Sequence, residues 1–249
     1  MTGSSALRLR GVNVEAGGTR ICTDVRLDIK EGEVHVLFGP NGSGKSSLLA
    51  GIMGLPPYEA QGTIELDGRP IHDLSIDERA RRGLGMAFQR PPRFEGVTVA
   101  ALVEAMQATG RLDELADSLD LAAFTGRILN KSFSGGEVKR WEVLKLALQL
   151  PRICLFDEPE SGVDLEHIQA VGQAIDELIR TPDANGRQRS ALIITHTGFI
   201  LDYIEATHGH VMLDGRIAAS GNARDLFATI ARDGYQVAAD PAARKEIHA

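Results

Sequence analysis

With 249 residues, 43% hydrophobic and 24% charged, the chain has the makeup of a globular protein that can bury a substantial core in one large domain. A net charge of -7 argues against nucleic acid as the main partner, because phosphate backbones demand a basic surface. No apolar run approaches bilayer length and residues 1–10 lack the apolar centre of a signal peptide, so a cytoplasmic protein without direct membrane insertion is expected.

Residues 7–14 and 21–29 read as strands, and the alternation Val25-Arg26-Leu27-Asp28-Ile29 suits a half-exposed antiparallel strand. Cys22 and Cys154 are far apart and make no ligand-spaced cluster; Cys154 reads as a small buried hydrophobe. After a turn at Glu31-Gly32, residues 33–38 read as a core strand in which His35 is a hydrogen-bonded structural histidine. That strand delivers Gly39-Pro40-Asn41-Gly42-Ser43-Gly44-Lys45-Ser46, a complete phosphate loop with Ser47 opening the helix behind it. Glycines let the backbone curl so that successive N–H groups point at phosphate oxygens. Lys45 adds a point charge, and the Ser46 hydroxyl can hold magnesium.

Residues 62–66 read as a strand closed by the turn Asp67-Gly68, residues 76–82 as a polar helix, and 85–88 as a short strand ending at Gln89. An amide at that strand end, paired with a phosphate loop, suits sensing of magnesium and the γ-phosphate. Pro91-Pro92-Arg93-Phe94 breaks regular structure, and a largely helical stretch over 98–129 makes a small helical subdomain. Phe133-Ser134-Gly135-Gly136-Glu137 then opens a helix that runs to Pro151, buried broadly over its far half. Its first turn presents unpaired N–H groups and the positive end of the helix dipole, a place for an anion.

The unbroken apolar run 153–156 leads into Asp157-Glu158, the pattern of a central parallel strand with functional groups at its carboxyl end. Two adjacent carboxylates repel unless a cation lies between them and a third negative group; magnesium and a phosphate chain complete that set. Ser161-Gly162-Val163-Asp164 precedes an amphipathic helix over 165–179, and the buried strand 191–195 ends at His196, on the sheet edge where ligands bind. His167 and His208 read as structural or solvent-facing. A hairpin over 211–218, a helix over 223–232 and an Ala-rich tail over 236–249 finish the chain.

The phosphate loop, Gln89, Ser134-Gly135-Gly136, Asp157-Glu158, Asp164 and His196, in that order, resemble the ATP-binding-cassette ATPases along nearly the whole chain. The resemblance implies an α/β fold: a phosphate-loop parallel-sheet core and antiparallel β subdomain in 1–90 and 150–235, and a small α-helical subdomain over about 91–149. It implies ATP and Mg2+ as ligands, with Gly39, Pro40, Asn41, Gly42, Ser43, Gly44, Lys45, Ser46 and Ser47 around the nucleotide. Ser46, Gln89 and Asp157 would arrange the metal, Glu158 would polarise the attacking water, and His196 would hold the γ-phosphate and that water in line. Ser134, Gly135, Gly136 and Glu137, with Asp164, would complete the nucleotide site of a second copy. One loop and one signature per chain call for an ATP-dependent, head-to-tail homodimer.

Within that family several stretches resemble the Suf-system ATPases of iron–sulfur cluster assembly (SufC). These include Gly32-Glu33-Val34-His35, Met86-Ala87-Phe88-Gln89, Glu137 with Lys139-Arg140, and Ile200-Leu201-Asp202-Tyr203-Ile204. That branch implies a soluble SufB/SufD-type scaffold as partner, and the short helical region suits a compact, archaeal-like form. Pro159 and Trp141 depart from it. Pro159 is common in transporter cassettes, so the nucleotide-binding subunit of an ABC membrane transporter is the alternative, with Phe94 or Trp141 in a docking groove or in simple core packing. No aromatic residue stands near Glu15-Ala16-Gly17, so weak base recognition is expected.

Overall fold

The computed structural model describes residues 4–92, 95–124, 126–129, 133–183 and 185–240. Two sheets organise it. One is antiparallel, in the order β2 (Thr19–Lys30), β1 (Ser5–Ala16), β4 (Tyr58–Leu66), β5 (Arg69–Pro70). The other runs β10 (Arg216–Gly221), β9 (His208–Leu213), β3 (Val34–Phe38), β8 (Ser190–Ile194), β7 (Ile153–Asp157), β6 (Leu84–Ala87), and every pair in it is parallel except β9 with β10.

β3, β6, β7 and β8 are buried at every position, the physical reason their sequences are almost unbroken runs of apolar residues. Alternate residues of β7 serve different cores. Cys154 and Phe156 pack with the helices α5 (Gly135–Gln149) and α6 (Leu165–Arg180), whereas Ile153 and Leu155 pack with α1 (Lys45–Met53) and the inner face of the antiparallel sheet. A third, smaller cluster joins Val36, Phe38 and Val211 to α7 (Ala223–Asp233) and α8 (Tyr235–Ala239). The first residues of the stretch read as a tail therefore belong to α8, where Ala238 is fully buried; residues 241–249 lie outside the described residues.

Buried Arg79, on α2 (Ile76–Arg81), braces the helix behind the phosphate loop. It donates to the carbonyls of Gly51 and Ile52 at 3.1 and 2.7 Å, giving the Ile52 carbonyl a partner at the end of α1 and the Gly51 carbonyl a second one beside the Gly54 N–H. The region 98–129 is more broken than a largely helical reading allows. α3 (Val99–Ala105) and α4 (Leu112–Ser118) are joined by a 3-10 turn at Thr109–Arg111, and a second such turn lies at Ala122–Phe124. Gln107 and Asp120, with φ of 56° and 52°, turn the chain between these pieces. The breaks let Val103, Leu112, Leu119 and Leu121 all point into one cluster, which a straight helix could not do. Trp141 is buried in that cluster, so its role is packing rather than lining a groove; Phe94 lies outside the described residues. His35 is hydrogen-bonded inside the core, its Nδ1 3.0 Å from His210 Nε2. Among the described residues no helix is long and apolar enough to cross a membrane.

Candidate functional site

β3 ends at Phe38, and the loop 39–44 turns the chain into α1 over the carboxyl edge of the parallel sheet. Gly39 has no room for a side chain: a Cβ there would lie 2.4 Å from the Met212 carbonyl oxygen and 2.7 Å from Ser43 Oγ. Gly44, at φ 102°, holds a backbone conformation that L side chains rarely adopt, and a Cβ there would lie 3.1 Å from Cys22 Sγ. Lys45 Nζ donates to the carbonyls of Gly39 and Pro40 at 2.8 and 2.9 Å, so the loop grips its own lysine. Burial lowers the Lys45 pKa, opposed by the carboxylates of Glu158 and Asp157. Ser43 Oγ is buried without a hydrogen-bond partner among the described residues, an orphan that a phosphate oxygen would satisfy. Pro40, Asn41 and Gly42 are exposed at the loop tip, and Ser47 is half-buried on α1.

Asp157 closes β7 and accepts from Ser46 Oγ at 2.9 Å. Burial raises its pKa, the Ser46 hydrogen bond lowers it, and neighbouring Glu158 raises it further, so the pair calls for a cation. The donors gathered here are oxygens (a hydroxyl, a carboxylate and, next to them, the Gln89 amide), the set a magnesium ion prefers. Glu158 follows with φ 51°, its N–H bonded to the Ile194 carbonyl at 3.1 Å. That turn brings its carboxylate between two sequence-predicted partners: Gln89 Nε2 donates to Oε2 at 2.5 Å, and His196 Nε2 lies 2.5 Å from Oε1. Gln89 comes from the end of β6, Glu158 from β7 and His196 from β8, three neighbouring strands of one sheet.

The structure does not bring Ser134–Glu137 to this loop. Among the described residues no hydrogen bond joins the two. Ser134 caps α5 instead: Glu137 N–H donates to Ser134 Oγ at 3.3 Å and Ser134 N–H to Glu137 Oε2 at 2.6 Å, a reciprocal capping box. Gly136 packs beside the Gly162 carbonyl, and exposed Asp164 starts α6. An open cleft lined by Gln89, Phe133, Gly135, Lys139 and Ser161 lies between this helix start and the end of β6.

Four residues stand at the site in places the sequence reading did not give them: Glu142 and Glu160, which it did not single out, and Lys139 and Cys22, which it named without a site role. Lys139 is buried with Nζ 3.5 Å from the carbonyls of Phe88 and Asp157; burial lowers its pKa against the pull of Asp157, Glu158 and Glu142. Glu142 Oε2 accepts the Phe88 N–H at 2.9 Å and pairs with Lys145. Glu160 is buried, accepts from the hydroxyls of Thr195 and Thr197, and has its pKa raised by burial. Cys22 Sγ lies 3.4 Å from the Gly44 carbonyl, with burial pushing its thiol up to about 11. The only available signal for the first three was their place within a few residues of a recognised motif.

Residues 22–161 match the family described as ABC transporter. A probable ABC transporter ATP-binding protein of Streptococcus pyogenes serotype M3 is 39% identical, over 93% of this chain and 94% of the relative. The probable ATP-dependent transporter SufC of Escherichia coli K12 is 34% identical, over 92% of this chain and 97% of the relative. Among solved structures, the cassette MJ0796, a post-hydrolysis dimer bound to ADP and Pi, superposes with a TM-score of 0.73 at 24% identity over 88% of this chain and 99% of that one, and so shares the fold. The family match, the relatives and the loop built around Lys45 agree: the chain belongs to the ABC family as an ATP-binding cassette ATPase with SufC among its relatives.

Proposed function

We propose that this cassette is a cytoplasmic motor subunit whose two copies close head to tail around two Mg-ATP and reshape a SufB/SufD-type scaffold during iron–sulfur cluster assembly. The observation that carries the two-copy reading is that Lys45, Gln89, Glu158 and His196 gather on one edge, while among the described residues no hydrogen bond joins the Ser134 helix start to the phosphate loop; the capping box takes up the Glu137 N–H, and the helix start opens onto the cleft beside Gln89, where another copy's nucleotide could reach it.

In each half-site Lys45 leaves its loop carbonyls for the phosphates, and Ser43 Oγ gains the partner it lacks. Ser46, Gln89 and Asp157 would hold magnesium, whose charge would offset the negative charge that develops on the phosphoryl group. Glu158 takes the proton of the attacking water once one of its two present partners releases an oxygen, and His196 holds that water and the γ-phosphate in line. The closed pair is favoured only by as much as ATP binds it better than the open chain, so the isolated protein is expected to be mainly monomeric and slow.

The scaffold role rests on the SufC relative and the Glu137, Lys139 and Arg140 pattern. Pro159 and the transporter names of the streptococcal relatives favour the second reading, a permease-bound subunit. Purification of the native complex decides: a soluble scaffold as stable partner supports the first, and an integral membrane permease alone overturns it. Sedimentation with and without ATP tests the pairing, and a stable nucleotide-free dimer would contradict it.

A further inference from the structure

At the end of the parallel sheet remote from the nucleotide, a glutamate and three histidines meet. β3 and β9 are parallel neighbours with His35 opposite His208 and Leu37 opposite His210, so strand alternation puts all three imidazoles on one face. The ring centroids of His35 and His208 are 4.6 Å apart, those of His35 and His210 5.0 Å. Glu33, in the turn entering β3, brings Oε2 to 3.0 Å from His35 Nε2 while also accepting the Lys30 N–H at 2.8 Å. The ligand atoms of Glu33, His35 and His208 all lie within 4.8 Å of one another.

Behind them runs a chain of partners of the kind that orients a metal-binding imidazole. His35 Nδ1 lies 3.0 Å from His210 Nε2, and His210 Nδ1 lies 2.7 Å from Ser220 Oγ. When each histidine donates its proton toward Ser220, the His35 Nε2 lone pair is turned toward the Glu33 carboxylate and is free to ligate an ion held between them; with the protons on the opposite nitrogens the same contact is an ordinary hydrogen bond.

We propose that Glu33, His35 and His208 bind one divalent transition-metal ion of the zinc class, with His210 and Ser220 fixing the His35 tautomer. Two imidazole nitrogens and a carboxylate oxygen match the borderline-soft donor set of zinc and leave a fourth position for water beside exposed His208. Magnesium, which wants oxygen ligands, is disfavoured, so this site and the one at Ser46 and Asp157 sort their metals by chemistry. The two sites lie toward opposite ends of β3: Glu33 and His35 at its start, and Asp157 level with Leu37 through β8. A bound ion would pin the turn before β3 to the start of β9 and so stiffen the strand that carries the phosphate loop.

The test uses the untagged full chain, stripped of metal, titrated with Co2+ as a spectroscopic substitute for Zn2+ under excess Mg2+. One Co2+ per chain is expected, with the intense visible absorption of a nitrogen-ligated site of low coordination number, displaced by Zn2+. His208→Ala and Glu33→Gln should each weaken binding tenfold or more and abolish the rise in melting temperature that Zn2+ gives the parent. Both variants should keep the parent's ATP turnover. Because His208 is exposed, its substitution leaves the fold in place. Equal Co2+ affinity in the parent and both variants, or a spectrum of purely oxygen-ligated Co2+, would overturn the assignment.

Discussion

Glu142 ties the strand that presents Gln89 to the helix that begins at Ser134, and its removal should damage both stability and turnover. Its side chain is 3% exposed, accepts the Phe88 N–H at 2.9 Å and receives Lys145 Nζ at 2.8 and 2.7 Å. Glu142→Ala orphans a part-buried N–H, at about 1–3 kcal/mol. It also leaves Lys145 without its carboxylate. Breaking a fully buried pair from one side costs about 3–5 kcal/mol, but solvent still reaches Lys145, which discounts that contribution heavily. The two together come to about 3 kcal/mol. Glu142→Gln keeps an acceptor for Phe88 and should cost about 1 kcal/mol. At roughly 2–4 °C per kcal/mol for a chain of this size, the alanine variant should melt roughly 6–12 °C below the parent and the glutamine variant roughly 2–4 °C below. Circular dichroism melts give the first number. Steady-state ATP turnover, read well below both melting points, should be slower in the alanine variant, because Gln89 adjoins the released Phe88. If both variants melt with the parent and hydrolyse ATP at its rate, Glu142 is a bystander and this coupling of strand to helix is wrong.

Glu158→Gln preserves the hydrogen-bonding shape between Gln89 and His196 but removes the base; phosphate release should fall by about 10²–10⁴-fold with nucleotide binding retained, and turnover equal to the parent's would point to a non-catalytic clamp. Ser134→Ala removes a helix cap at a cost of about 1 kcal/mol, so a large loss of turnover beside a small shift in melting marks a role beyond capping. Equal, small effects on both would restrict Ser134 to the helix. Glu160 should make the protein more stable on mild acidification. Its folded pKa is raised by burial, so its ionisation penalises the fold fully only above that raised value. The penalty shrinks as pH falls through the raised value and vanishes below the ordinary 4.5. Because Asp28, Glu33 and Asp183, with lowered pKa values, act in the opposite sense, the readout is the difference: toward acid the parent's urea midpoint should gain relative to that of Glu160→Gln, and parallel profiles would refute it.

The sheet core and the nucleotide edge were legible because their signals are contiguous. Gly39 to Ser46 is an unbroken motif, and the apolar run into Asp157-Glu158 names both the strand and its chemistry. What stayed hidden depends on contacts distant in sequence. Glu142 and Lys139 lie on a helix whose broad burial was readable, yet charged helical residues ordinarily face water. Only the end of β6 and the Asp157 carbonyl give these two a reason to be inside. Glu160 gains its meaning from Thr195 and Thr197 on the far side of α6 in sequence. The region 98–129 misled for the opposite reason: its apolar spacing is locally helical, but filling one shared cluster required breaks at Gln107 and Asp120, non-glycine residues at positive φ, with Gly110 the one punctuating residue beside the first.

Glu158 sits in a left-handed backbone conformation that costs a non-glycine residue roughly 1–2 kcal/mol. Glycine would relax that tension, so the conformationally easiest occupant of the position is one that cannot activate water. Selection for robustness alone would erode hydrolysis here, and a glutamate kept at this place is the mark of a protein maintained for its work rather than its durability.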